Sequence, residues 1–250
     1  MTYCLGIMTH EGLILASDSR TNAGSDDVNV YPKMHKFVRS GERVFVLLCS
    51  GSLSLSQSVI TLLQRDFERG AGLATAKTLY DAARVVGDQI RHVSALDRSA
   101  LERDGYSYNV HFILGGQIHG AAHGLYLVYP QGNPLSAGEE LPYLQIGERK
   151  YGRPILDRGV NYFKTSLEEA TKYALISLDS TMRSNVTVGP PIDLAVYAAG
   201  EFQLTRNRRL SADDPDLRAL RRQWEQSLRR AVQELPAVRF DKPHSDESDR

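Results

Sequence analysis

The residues whose types and spacing could do chemistry stand at the front of the chain: Thr2, then Asp18 and Arg20 at the end of the second apolar run. A threonine with a free α-amine carries a nucleophile and a base on one residue, because the amine can take the hydroxyl proton. An α-amine titrates near about 7.7–8.0, so a useful fraction is neutral at pH 7. This chemistry requires loss of Met1, and threonine is small enough for methionine aminopeptidase to act before it. A retained Met1 would block the amine and leave Thr2 as the mere start of a strand. Three histidines, His111, His119 and His123, fall in one strand pair. No cysteine or carboxylate set completes a metal centre around them, so no metal is expected.

These groups need elements to position them. The apolar run Tyr3–Met8, the turn Thr9-His10-Glu11-Gly12 and the run Leu13–Ala16 predict two paired strands, 2–8 and 12–18. Their pairing sets Asp18 and Arg20 beside Thr2. A polar loop is expected from Thr21 to Tyr31, then a hairpin of strands 35–39 and 43–50. The run Val44–Cys49 is apolar throughout, as in a strand covered on both faces. The period then changes to three and four. Leu55, Val59, Leu62, Leu63 and Phe67 mark one amphipathic helix; Leu79, Ala83, Val86, Ile90 and Val93 mark another. Strands are expected at 109–117, 122–129 and 143–146. The capping box Ser166-Leu167-Glu168-Glu169 starts a third helix that runs to about Arg183. Closing strands are read at 192–198 and 201–204, and a last helix carries Leu217, Leu220, Trp224, Leu228 and Leu235. The stripe around Trp224 is core or subunit interface. Segregated blocks of strands and helices predict an α+β layered sandwich, with residues 1–240 as one domain and 241–250 as a disordered tail.

The chain has 250 residues, 42% hydrophobic and 24% charged, enough to bury a substantial core. Lys+Arg and Asp+Glu both number 30, which argues against nucleic acid or a polybasic membrane surface as partner. The arginines at 206–209 and 218–230 are interleaved with acids and read as a solvated helix face. The two cysteines, Cys4 and Cys49, lie in apolar runs and read as buried thiols of a reducing, cytoplasmic compartment. No signal peptide is expected, since no basic segment precedes the first apolar run and polar residues interrupt by position 9. No run approaches the roughly 20 apolar residues of a membrane span.

Thr2, the strand-turn-strand, Ser17-Asp18-Ser19-Arg20, a lysine before a hairpin (Lys33) and a glycine after it (Gly51) resemble proteasome β-type subunits. Those are N-terminal-nucleophile hydrolases with a four-layer αββα sandwich. Met1–Cys4, Ala16–Gly24, Lys33-Met34-His35, Leu144–Gly152 and Met182–Asn185 are similar to the bacterial branch called Anbu, the ancestral β-subunit. The resemblance extends to about residue 235 and implies the following roles. Thr2 is the nucleophile, Lys33 the catalytic lysine and Asp18 its neutralising partner; Lys36 is the rival lysine. Arg20 braces the Asp18 loop, and the Gly51 N–H faces the oxyanion. Two departures from the proteasomal pattern stand out. Glu148 occupies the place of a serine that supports the amine, and Ser184 that of a carboxylate, while Thr187 keeps a hydroxyl. Support for the amine is then expected from Ser184 and Glu148. The resemblance also implies a peptide or amide substrate, no cofactor, and a self-compartmentalising ring or spiral of many copies. It identifies no ATPase partner. A hydrolase for a dedicated small amide or peptide and a non-catalytic assembly subunit are the alternatives.

Overall fold

The computed structural model describes residues 2–22, 28–106, 108–238 and 240. Two five-stranded antiparallel sheets stack face to face. The first has the order β10-β1-β2-β11-β12, built from Tyr143–Gly147, Tyr3–Thr9, Gly12–Asp18, Ile192–Ala198 and Arg206–Leu210. The second has the order β5-β6-β7-β8-β9, built from Met34–Arg39, Arg43–Gly51, Val110–Ile118, Gly124–Val128 and Pro134–Ser136. A separate ribbon pairs β3 (Arg20–Asn22) with β4 (Val28–Val30).

Alternation along each strand divides its side chains between two apolar layers. Leu13 and Leu15 of β2 meet Val44, Val46 and Leu48 of β6 between the sheets. The alternate residues Ile14 and Ala16 face Ala170, Ala174 and Leu178 of α4 (Leu167–Ser184) and Leu217 of α5 (Pro215–Glu234). On the far side, Phe45 and Leu47 pack on Val59 and Leu63 of α1 (Leu53–Glu68) and on Val86 and Ile90 of α2 (Leu79–Arg103). The result is the αββα sandwich. Each fully buried aliphatic side chain contributes roughly 1.5–3 kcal/mol. Among the described residues no helix is long and apolar enough to cross a membrane.

Several elements differ from the sequence-based expectation. The loop expected over 21–31 contributes the β3–β4 ribbon, and residues 23–27 lie outside the described residues. The last strand is Arg206–Leu210, not 201–204. Four of its five residues are exposed, so it has no apolar alternation to read; as the sheet edge it keeps charge outward, which discourages further pairing. The arginines at 206, 208 and 209 therefore sit on a strand, pairing with Glu201, Asp214, Asp216 and Asp193. Short β9 and the seven-residue α3 (Arg153–Gly159) add to the expected elements, the latter with Leu156 as its one buried residue. The tail expected to be disordered, 241–250, lies outside the described residues.

Candidate active site

Asp18 ends β2 fully buried, and three donors converge on it. The Lys33 ammonium donates to Oδ1 at 2.7 Å, the Tyr3 N–H to the same oxygen at 3.0 Å, and the Gly189 N–H to Oδ2 at 3.2 Å. Burial pushes the carboxyl above its ordinary value, and Lys33 with the two backbone donors opposes that push. Lys33 is 4% exposed and also donates to the Arg20 carbonyl at 2.6 Å. An ammonium has three donors, and the third has no partner among the described residues. The backbone delivers Lys33 here because its carbonyl accepts the Cys49 N–H of β6 at 3.0 Å. Lys36 is elsewhere: it is exposed and donates to Asn207 at 2.8 Å.

Thr2 stands just before β1, its peptide clamped from both sides. Its carbonyl accepts the Glu148 N–H at 2.7 Å, while the next amide is the one held by Asp18. Gly147 makes the first clamp possible. At φ +85° it adopts the left-handed region, and a Cβ there would lie 1.9 Å from the Thr2 oxygen. Tyr3 anchors the other end of the site through a fully buried hydroxyl, which meets the Ser177 hydroxyl at 2.6 Å and accepts from Gln145. Burial pushes that phenol up to about 12, so it stays protonated.

Glu148 is 9% exposed. Its carboxylate accepts from the Asn185 amide at 3.2 Å and from the Lys150 N–H at 3.4 Å, with no cation paired to it among the described residues. Asn185 is in turn held by Thr187, whose hydroxyl and N–H both donate to Asn185 Oδ1, at 2.6 and 3.0 Å. Ser184, expected to support the amine, is exposed at the last position of α4. The residue that reaches Glu148 is its neighbour Asn185, the C-cap of that helix. Arg20 donates to the Val186 carbonyl at 2.6 Å, tying the Asp18 end of β2 to the same loop.

A cleft of about 780 Å3 opens at this end of the sandwich, lined in part by Thr2, Arg20, Gly51, Asn109, His111 and Arg149. Gly51 closes β6 at φ +107°, where a Cβ would collide with the Asn109 carbonyl at 2.1 Å. Burial and the nearby Arg149 guanidinium hold His111 below its ordinary value. The sequence presents His111 only as a metal-ligand candidate, and Arg149 and Asn185 only as parts of resembling segments, because the meeting of distant elements is what brings them to the cleft and to Glu148. Of the three histidines, His111 is on β7 at the cleft, while His119 and His123 fall in the β7–β8 turn, where His119 packs on Phe202 and His123 bonds the Thr9 carbonyl at 2.8 Å.

No family model matches the chain. Among curated proteins it is similar to the proteasome subunit beta of Haloferax volcanii, 28% identical over 211 residues that cover 83% of this chain and 77% of that protein. Solved structures give stronger likenesses. The chain is 38% identical to Anbu (ancestral beta-subunit) from Yersinia bercovieri, covering 96% of this chain and 100% of that one, with a TM-score of 0.90. It is 42% identical to a Gly-1 mutant of Anbu from Hyphomicrobium sp. strain MC1, at 96% and 100% coverage and a TM-score of 0.89. The structure described as the helical assembly of the Anbu complex from Pseudomonas aeruginosa is also 42% identical, at 95% and 98% coverage and 0.89. Identity at this level over whole chains, on the same sandwich, means that the chain belongs to Anbu, the ancestral β-subunit family of proteasome-type, N-terminal-nucleophile-fold proteins.

Proposed function

We propose that this protein is a threonine peptidase or amidohydrolase in which Thr2, after removal of Met1, is the nucleophile and its own amine the general base. The observation that carries the reading is the clamp on Thr2: Glu148 on its carbonyl and the Lys33-paired Asp18 on the following amide, at the mouth of a cleft. The amine takes the hydroxyl proton as Oγ1 attacks the substrate carbonyl carbon. The third N–H of Lys33 stabilises the oxygen as its proton leaves, and the Gly51 N–H stabilises the oxyanion, an interaction worth about 2.7–4 kcal/mol in other hydrolases. The amine then protonates the departing nitrogen, the C–N bond breaks, and an ester to Thr2 remains. Water, deprotonated by the same amine, hydrolyses the ester and restores the hydroxyl.

Glu148 is the partner of the freed amine in this reading, since a buried carboxylate without a cation is costly. Thr187 and Asn185 position Glu148, and Arg20 braces the loop. Ser184, exposed, is given no direct contact. Residues 1–240 act as one hydrolase unit, which works as a homo-oligomer of ring or spiral form, as the helical assembly of the Pseudomonas relative suggests. Two buried free thiols suit a cytoplasmic location.

Intact mass before and after an epoxyketone probe tests the mechanism. The expected result is a chain lacking Met1 that gains one probe, with no gain in Thr2→Ala. A chain lacking Met1 that never gains the probe would overturn it.

A further inference from the structure

We infer that the cleft selects substrates carrying a carboxylate close to the bond that is cut: peptides with Asp, Glu or a free C-terminus beside it. This rests on the reading of Thr2 as the nucleophile and names the substrate class for that site. Arg20, Arg149, His111, Asn29 and Asn109 are among the residues that line the cleft with Thr2, and no Asp or Glu is among the described residues lining it. Neither arginine has a carboxylate within ion-pair distance among the described residues. The nearest acids are committed elsewhere. Asp18 is tied to Lys33, and Glu148 is buried against Asn185 behind the lining.

Arg149 is exposed at the rim and close enough to His111 to hold that ring below its ordinary value. His111 stacks edge-on to Tyr129, ring centroids 6.3 Å apart, so its orientation is set. A carboxylate on the substrate would meet a fixed charge at Arg149, with neutral donors from His111 and Asn109 beside it. An unpaired guanidinium at the cleft mouth favours such a group and disfavours a cationic one, so the arrangement discriminates in both directions.

The test compares two peptides identical except for Glu or Gln next to the scissile position, in two assays. One is binding to the Thr2→Ala protein by fluorescence anisotropy, which does not require chemistry. The other is the labelling rate of the native protein by epoxyketone probes bearing the same two groups. The Glu form is expected to bind and label about five- to tenfold better at low salt, the advantage shrinking as salt approaches about 1 M. Arg149→Glu should invert the preference, read as the ratio of Glu to Gln forms within each assay. Equal binding of the two peptides, or an unchanged preference in Arg149→Glu, would overturn the inference. Preferential binding without any labelling would instead sink the nucleophile assignment and leave the selectivity standing. Asp26 and Asp27 follow the cleft residue Thr21 in sequence and lie outside the described residues. If the preference appeared only in Asp26→Asn/Asp27→Asn, those carboxylates would already occupy the cationic cleft, and the inference for the native chain would fail.

Discussion

Glu148 presents the sharpest problem at the residue scale: a carboxylate that is nearly buried and hydrogen-bonded, with no paired cation among the described residues. Pairing with the freed Thr2 amine would resolve it and would set the pH at which the base works. Under the proposed mechanism, the charges of Asp18 and Glu148 favour the ammonium form of that amine, and those of Lys33, Arg20 and Arg149 oppose it. Glu148→Gln removes one of the two raising charges. The acid limb of kcat/KM should therefore move to lower pH by about one unit, since the amine becomes free base earlier. A limb that stays in place would show that Glu148 does not face the amine. The cysteines give a cleaner case. Burial pushes Cys49 up to about 12 and Cys4 well above its ordinary value, so neither supplies thiolate at pH 8. A chromogenic disulfide reagent should titrate no thiol in the native protein and both in denaturant.

At the scale of elements, the turn after β10 matters more than its length suggests. Gly147→Ala places a methyl group against the Thr2 carbonyl in a left-handed backbone. The strain costs about 1–3 kcal/mol, and the displaced nucleophile should lose about 100-fold in kcat/KM. A loss of thermal stability with unchanged labelling of Thr2 would show that the clamp is not what aims it. Elements with a continuous apolar run or an apolar period are legible in the amino-acid order: β1, β2 and β6 carry the run, and the helices α1, α2, α4 and α5 the period. The Ser166–Glu169 capping box is legible too, and both of its reciprocal hydrogen bonds form. Arg206–Leu210 is not, because an edge strand with one buried residue has no alternation. Thr2 and Asp18 can be found from residue chemistry and strand pairing, and Lys33 and Gly51 only through resemblance. Asn185 is invisible as a site residue because its contact to Glu148 spans 37 residues and depends on how α4 ends.

For the whole molecule, the two helical faces are unequal. α5 tucks in Leu217 and ties to α4 through Arg221–Asp179 and Arg183–Glu225. Its second half does not follow: Leu228, Val232 and Leu235 are 51%, 60% and 66% exposed. Such a stripe is covered when copies associate, and zero net charge does little to oppose that. Light scattering should give a mass several times the 27.8 kDa of the chain. Leu228→Glu/Val232→Glu should lower that mass while leaving the thermal midpoint of the subunit within a few degrees, because the side chains are already in water. An unchanged mass would assign the contacts between copies to another face.

The position of Thr2 also governs how the protein must be handled. It stands just before β1, which lies in the interior of a sheet between β10 and β2, and at the same time lines the cleft. Because Thr2 lines that cleft, anything joined upstream of it starts from the space that a substrate would fill. An affinity tag on the amino end is therefore a tethered plug, present at a local concentration no free peptide could match. It would also block the Thr2 amine that the proposed mechanism uses as its base. No residue of α5 is among the described residues lining that cleft, so a tag on the carboxyl end is the better choice.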